Sequence, residues 1–192
     1  MTFALDTAPT PRDAPWVCPI PLRLVPSSDS ESFLAMTAGT TALPLAPHPG
    51  AFAVNRKFHT HEGVDLYAEV GTPVVAVESG RVTTVAPFTG AHAGESVSCW
   101  EDTFAVWVEG ASGVVLYGEI APCVRVGQRL EAGQLLGHVL RVLKKDKGRP
   151  MSMLHLELHH RGSIEAPQWL VPEERPAVLR DPTPFLLASL RS

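Results

Sequence analysis

Few cysteines occur in this sequence, and none lies in a pattern that binds metal or builds a disulfide framework. Its 192 residues include three cysteines, Cys18, Cys99 and Cys123, which are far apart and form no CxxC pair. A disulfide scaffold needs an even set of cysteines, and a thiolate zinc site needs paired ones. We therefore expect three reduced cysteines that fill space within the fold.

A surplus of positive charge is also missing. The chain has 16 lysines and arginines against 20 aspartates and glutamates, which gives a net charge of −4. Binding to the phosphates of nucleic acids or of anionic membranes requires clustered surplus lysine and arginine. The charge balance therefore argues against both classes of partner.

Long apolar runs are absent as well. They reach only about five residues, as at 104–108, whereas a bilayer span needs about 20. The N-terminal residues MTFALDTAPTPRDAPW lack the basic start and the apolar stretch of roughly 7 to 15 residues that a secretory signal has. We therefore predict a cytoplasmic protein that does not insert into a membrane.

What the sequence does contain is the composition of a globular protein, with 45% hydrophobic and 19% charged residues. Nine of the 18 prolines lie within the first 50 residues, where they interrupt any regular ladder of backbone hydrogen bonds. We predict an extended proline-rich arm over residues 1–50 and a single domain over residues 51–192. Because Trp16 and Phe33 are too apolar for a free linker, we expect the arm to pack on the domain.

Short runs of valine, threonine, leucine and aromatic residues dominate the chain from Phe52 onward, as in TPVVAVESGRVTTVAPF and TFAVWVEGASGVVLYGEI. Apolar residues recur in them at a spacing of two, and turn residues follow roughly every 8 to 12 positions. This pattern predicts an all-β domain, an antiparallel sandwich or barrel. The segment DPTPFLLASL predicts a short C-terminal helix that Asp181 or Thr183 caps.

The first group of candidate metal ligands is KFHTHEGVDL, which contains His59, His61 and Asp65. In a straight strand the Cα atoms of His61 and Asp65 would lie roughly 13 Å apart, too far for one ion. Gly63 removes the steric objection to a bend between them, so a two-ligand clip of one imidazole and one carboxylate is open. An exposed turn that enters a strand is the alternative.

The second group, MLHLELHH, alternates as a strand does. Leucines face one side, while Met153, His155, Glu157 and His159 face the other. Together with His61 and Asp65, His155 would complete two imidazoles and one carboxylate, the ligand set of a zinc ion that keeps a position open.

These motifs resemble those of the lysostaphin-like zinc endopeptidases, which cut peptide crosslinks in bacterial cell walls. The matching segments, in family order, are HEGVDLYAEVGTPVVAVESGRV, VVLYGEI, VRVGQRLEAGQLLG and MLHLEL. The resemblance implies an antiparallel fold of the duplicated hybrid motif type, with a site in a groove between long loops. It also implies a zinc cofactor held by His61, Asp65 and His155, and a peptide or muropeptide substrate.

Two positions depart from the family pattern. The family usually has one histidine after its Tyr-x pair and another at the start of its His-x-His strand, and this chain has Glu119 and Met153 there. Methionine offers no useful proton acceptor or donor. Glu119 could act as a general base, bind zinc as a fourth ligand, or be an ordinary strand-end acid.

An ionised glutamate would repel a developing oxyanion, so another donor would be needed. The candidates lie on the basic loop that precedes the second ligand group: Lys144, Lys145, Lys147 and Arg149.

Further residues are candidates for substrate binding or for support of the ligands: His59, Tyr117, Glu157 and Met153. Tyr117 precedes Glu119 by two positions, so its hydroxyl would reach the site if the strand is regular, and packing in the core is the alternative. His159 lies two residues, roughly 7 Å, beyond Glu157.

Three functions remain open at the level of sequence. They are a zinc peptidase with Glu119 as base, an inactive zinc-binding module that recognises a peptide or glycopeptide or regulates a partner, and a sugar-phosphotransferase-type domain. The last needs a histidine where this chain has Glu119 or Met153, so we rank it last. The proline-rich arm could limit access to the groove. We expect a monomer or a weak homo-oligomer.

Overall fold

The computed structural model describes residues 16–31, 39–94, 100–146 and 148–191. Within these ranges, apart from a single 3₁₀ turn at Ala91–Ala93, the elements are short strands and one α-helix. In chain order they are β1 (Arg23–Ser27), β2 (Thr40–Pro44), β3 (Val64–Tyr67), β4 (Pro73–Val75), β5 (Gly80–Thr89), β6 (Thr103–Gly110), β7 (Val114–Pro122), β8 (Arg129–Leu130), β9 (Leu135–Val139), β10 (Met153–His159), β11 (Leu179–Arg180) and α1 (Thr183–Ser189).

Strands β3 to β11 form one nine-stranded sheet in which every pairing is antiparallel. Its main path runs β11-β10-β7-β6-β5-β8, and β3 pairs with the free edge of β10 beside β11. The predicted all-β antiparallel fold with a short C-terminal helix is therefore confirmed. The N-cap residue is Pro182 and has no side-chain capping bond, so the expectation that Asp181 or Thr183 is the cap is wrong, although the Thr183 N–H donates to Asp181 Oδ1 (2.8 Å).

The hydrophobic core lies on the leucine side of β10. Leu154, Leu156 and Leu158 are fully buried there, because the strand's period of two turns all three towards the same side. The opposite side, which carries His155 and Glu157, is buried as well. The sequence pattern predicts a polar face here. In the structure this face lines a cavity, and the surrounding residues shield it from solvent.

The N-terminal arm is more regular than its prolines suggest. Strands β1 and β2 pair in parallel over five residues each, with Pro26 and Pro44 inside the pair. A two-stranded ribbon tolerates proline because each strand uses only one edge for hydrogen bonds. The sequence analysis does not predict this short parallel ladder within the arm.

The arm also contributes to the core. Trp16 is 1% exposed, stacks on Phe185 of α1 with ring centroids 4.9 Å apart, and donates its indole N–H to Ser112 Oγ (3.2 Å). Phe33 lies outside the described residues, as does Cys99. Cys18 and Cys123 are free thiols. No helix in the described ranges is both long enough and apolar enough to cross a membrane.

Candidate metal centre

Two of the three candidate ligands are direct neighbours in the sheet. Strand β10 lies between β3 and β7, and His155 is opposite Asp65 on one side and Gly118 on the other. Side chains of directly opposed residues stand next to each other on one face of a sheet. The sheet register therefore holds the imidazole of His155 against the carboxylate of Asp65.

The third candidate, His61, lies in the segment that leads into β3. Its backbone N–H donates to Val54 O (3.0 Å) and its carbonyl accepts from the Ala53 N–H (2.9 Å). Gly63 follows, and a Cβ atom there would lie 2.5 Å from Leu156 O. The missing side chain thus lets the chain pass close to β10 and bring His61 over Asp65. The φ angle of Gly63 is not positive, so close approach, and not a special backbone conformation, requires glycine.

The donor atoms of the three side chains converge. Asp65 Oδ1 lies 3.1 Å from His61 Nε2 and 2.8 Å from His155 Nδ1, and the two nitrogens are 3.3 Å apart. All three residues are buried, and their donor atoms lie within 4.8 Å of one another. The structure therefore brings the imidazole of His155 to His61 and Asp65, although His155 lies 90 residues beyond Asp65 in the sequence.

The second nitrogen of each ring has its own hydrogen-bond partner. His61 Nδ1 is 2.9 Å from Ala51 O, and His155 Nε2 is 2.8 Å from Glu157 Oε1. Both partners are acceptors, so each of these nitrogens carries the proton and donates. Without a metal, His155 Nδ1 also donates, to Asp65 Oδ1 (2.8 Å). A bound cation would replace that proton, and the two nitrogens that face the common point would then offer it lone pairs, as metal-binding histidines do. The donor set fits zinc.

The charges around Asp65 favour its ionised form. Although burial raises the pKa of this carboxyl, the charges of His61 and Arg56 and its hydrogen bonds hold the pKa well below the usual range. Burial lowers the pKa of His61. Burial also opposes protonation of His155, but hydrogen bonds to Asp65 and Glu157 raise its pKa well above the usual value.

Arg56 is a site residue that the sequence analysis does not predict. Its Nη2 lies 2.6 Å from Asp65 Oδ2, and its Nε and Nη2 donate to Pro49 O (3.2 and 2.8 Å). It therefore fixes the carboxylate oxygen that does not face the histidines. An arginine nine residues before an aspartate has no distinctive spacing, so the sequence contains no signal for this role.

Glu119 reaches the site through a β-bulge. Between Phe104 and Val106 of β6 the register of β7 shifts, so that Gly118 and Glu119 together oppose one residue. Glu119 has φ 66°, a conformation that is rare outside glycine, and such bulges redirect side chains near functional sites. Its side chain lines the cavity together with the three candidate ligands.

The carboxyl of Glu119 is poorly solvated. The residue is 8% exposed, and its Oε2 has no hydrogen-bond partner within the described ranges. Burial and the charge of Asp65 raise the pKa of Glu119 to about 8, while His155 and Arg56 act in the opposite direction. A buried carboxyl with an unengaged oxygen is available to a substrate, to water or to an ion.

The bulge also separates Glu119 from Tyr117, which the regular register before the bulge places opposite Leu156 on the core side. In a regular strand Tyr117 and Glu119 would share a face, but the extra residue breaks the alternation. Tyr117 lies in the hydrophobic core, and its hydroxyl accepts the Val77 N–H (2.9 Å). The structure therefore does not bring Tyr117 to the candidate ligands, and the packing alternative describes its position.

The other predicted residues lie in or beside the cavity. Met153 packs with Tyr67 and Val142 in a small apolar cluster that borders it. His59 lines it and pairs with Leu170 through a β-bridge. Glu157 lines it and supports His155 from behind.

The cavity has a volume of about 640 Å³. Of the basic loop, Arg149 lines it, while Lys144 and Lys145 are exposed and do not, and Lys147 lies outside the described residues. None of residues 16–31 or 39–50 lines it either. The described part of the arm thus gives no support to the expectation that the arm limits access.

Comparison with known proteins identifies a family for the greater part of the chain. The model of peptidase family M23 matches residues 59–167, a range that includes the three candidate ligands and Glu119. No curated protein matches the chain.

Three solved structures show the nature of the structural similarity. The peptidase lysostaphin from Staphylococcus simulans is 21% identical over 73% of this chain and 48% of its own, with a TM-score of 0.50. Its catalytic domain alone is 20% identical over 72% of this chain and 89% of the domain (TM-score 0.47). A putative M23 peptidase from Pseudomonas aeruginosa is 18% identical over 76% and 54% (TM-score 0.41). This chain therefore spans about half the length of the full lysostaphin chain.

Proposed function

Since the chain belongs to peptidase family M23, as the resemblance in its motifs predicts, we propose that it is a zinc-dependent peptidase. The observation that carries this proposal is the convergence of His61 Nε2, Asp65 Oδ1 and His155 Nδ1, each on a side chain whose other polar atom is already bonded. Two imidazole nitrogens and one carboxylate oxygen are the ligand set of zinc sites that keep a position open for chemistry. When bound, zinc supplies Lewis acidity to a peptide carbonyl or to water.

Glu119 is the residue that we assign to proton transfer. Its unengaged Oε2 would accept a proton as water attacks the peptide carbonyl, and would return it to the amine nitrogen as the C–N bond breaks. Such general base catalysis contributes about 10² to 10⁴ in rate. A cation held by the three ligands would favour the ionised form of Glu119 and so oppose the effect of burial.

Oxyanion stabilisation needs a donor, and neither Glu119 nor Met153 provides one. Of the candidates on the basic loop, Arg149 is the one that lines the cavity. Arg56 also lines it, but its guanidinium is engaged with Asp65 and Pro49. We therefore assign to Arg149 the binding of the substrate carbonyl oxygen.

The rim of the cavity favours a peptide with a bulky apolar side chain. Phe58 and Ile164 line the cavity and are 70% and 67% exposed. Leu170 also lines it, and the neighbouring Val171 donates its N–H to Phe58 O, which holds this segment beside Phe58. Large exposed apolar side chains clustered at a site gain free energy when a ligand covers them. We propose a muropeptide or another peptide with a large apolar residue near the cleaved bond.

A second candidate function has one observation in its favour. Met153 occupies the position of a family histidine and packs against Tyr67 and Val142, so it brings neither a base nor a donor to the cavity. A protein with intact ligands and weakened catalytic groups could hold a peptide without cutting it. This alternative is an inactive zinc-binding recognition module.

One experiment separates the two functions. Zinc content is measured by mass spectrometry, and hydrolysis of short peptides and crosslinked muropeptides is followed for the parent, Glu119→Gln and the exposed-site control Glu69→Gln. The peptidase proposal expects E119Q to lose hydrolysis and keep zinc, with E69Q like the parent. Loss of zinc from E119Q would identify Glu119 as a ligand. Absence of hydrolysis by the parent at every pH would leave the recognition module.

A further inference from the structure

Three side chains on β10 form a continuous chain of hydrogen bonds that leads away from the candidate metal centre. Glu157 Oε1 lies 2.8 Å from His155 Nε2, and Glu157 Oε2 lies 2.6 Å from His159 Nε2. The three residues are 7%, 3% and 0% exposed. Each carboxylate oxygen of Glu157 thus faces one imidazole, and water has almost no access to either contact.

His159 is fully buried, and its ring is hydrogen-bonded to Glu157 through Nε2. Its Nδ1 has no hydrogen-bond partner in the parts of the chain that the structure describes. Because a buried donor without an acceptor is more costly than a bare lone pair, the proton of this ring belongs on Nε2, where Glu157 accepts it. An apolar side chain of similar size would fill the same space without an unpaired nitrogen. The bond to Glu157 is therefore what a histidine adds at this position.

Glu157 depends on that bond for its orientation. Each of its two oxygens accepts from one imidazole, Oε1 from His155 Nε2 and Oε2 from His159 Nε2. If His159 lost its N–H, Oε2 would be a buried charged atom without a donor. The carboxyl group would then be free to rotate, and its hydrogen bond to His155 Nε2 would weaken.

From this geometry we propose that His159 is a positioning residue for the metal centre, acting through Glu157 on the orientation of His155 and on the nitrogen that His155 turns towards the ion. The proposal rests on the proposed zinc binding, but it concerns a residue four positions beyond the ligand. Groups that orient a metal-bound histidine commonly change metal affinity 10- to 100-fold. Because His159 acts one step further out, we expect an effect of about tenfold.

The test uses the full chain and zinc itself. The zinc dissociation constant is measured by competition with a chromophoric chelator for the parent, His159→Phe, His159→Gln and the control His138→Phe, whose histidine lies on β9 and is exposed. We expect H159F to bind zinc about tenfold more weakly, H159Q to stay within about threefold because its amide N–H replaces the donor, and H138F to match the parent. Equal zinc affinity of H159F and the parent would overturn the proposal.

A second measurement does not depend on how the variants fold. Nitrogen-15 spectra of the zinc-loaded parent report which ring nitrogen carries the proton. The proposal expects the proton of His159 on Nε2, and a proton on Nδ1 with a bare Nε2 would contradict it. Thermal unfolding of the metal-free proteins distinguishes positioning from a purely structural role, because the latter lowers the melting temperature of H159F and leaves its zinc affinity unchanged.

The outcomes for the two proposals are distinct. If the parent binds no zinc, the proposed function fails. If the parent binds zinc and H159F binds it equally well, only this inference fails.

Discussion

The unusual environment of Glu119 makes a quantitative prediction about stability and pH. In the metal-free protein, Glu119→Gln replaces a carboxyl by a neutral group of the same shape. Burial raises the pKa of Glu119 from its ordinary value of 4.5 to about 8. Between these values the native state holds a proton that the unfolded state has lost, so the free energy of unfolding of the parent falls as pH rises. Glutamine does not titrate and is insensitive to this effect.

The magnitude follows from proton linkage. One proton held by the native state alone is worth about 1.4 kcal/mol for each pH unit. From pH 5.5 to pH 7.5, a window inside the two pKa values, E119Q should therefore gain roughly 3 kcal/mol of stability relative to the parent. Titrating groups that do not interact with Glu119 are shared by the two proteins, so their contributions cancel in the comparison.

Urea unfolding in the presence of a chelator measures this difference through the fluorescence of the four tryptophans. The control is Glu69→Gln, because Glu69 is exposed and its substitution should change stability equally at both pH values. If the stability difference between E119Q and the parent is the same at pH 5.5 and pH 7.5, Glu119 does not hold a proton in the native state, and the argument from burial fails.

Three further predictions concern the supports of the site and its rim. Arg56→Gln removes the guanidinium that holds Asp65 Oδ2 and should lower the free energy of unfolding by about 1 to 3 kcal/mol in urea; a change below about 0.5 kcal/mol would contradict the role of the pair. Gly63→Ala places a Cβ 2.5 Å from Leu156 O and should destabilise the fold by about 2 kcal/mol and weaken zinc binding, seen by calorimetric melting with and without zinc; an unchanged melting temperature would refute the close approach. Phe58→Ser should weaken binding of a phenylalanine-containing peptide to zinc-loaded E119Q protein about tenfold, as one lost apolar contact predicts, and leave an all-glycine peptide unaffected; equal losses for both peptides would refute apolar recognition at the rim.

The strand pattern made part of this site predictable. Alternation along β10 places Met153, His155 and Glu157 on one face, and the structure keeps them there because the strand is regular over all seven residues. The same rule fails on β7, where the bulge turns Glu119 to the cavity while Tyr117 stays on the core side. A glutamate with a positive φ angle has no signature in the sequence, since the conformation is imposed by the neighbouring strands.

Long-range supports were beyond sequence reasoning for a different reason. Arg56 acts on Asp65 from a separate segment, and its spacing in the sequence is not distinctive. His159 is on the predicted face of β10, but alternation alone does not show that its ring contacts Glu157. Alternate residues of a strand are roughly 7 Å apart at their Cα atoms, but the Glu157 carboxylate, which lies between the two histidines, contacts His155 with one oxygen and His159 with the other.

Two backbone carbonyls near residue 50 hold side chains of the site. Pro49 O holds Arg56 and Ala51 O holds His61, so the stretch where the arm meets the domain is also part of the frame around the ligands. The division between residues 50 and 51 stays a prediction, and it would be a poor place to cut the chain. A shortened protein that begins near Pro47 would retain both carbonyls, whereas one that begins at Phe52 would leave an imidazole and a guanidinium without their anchors.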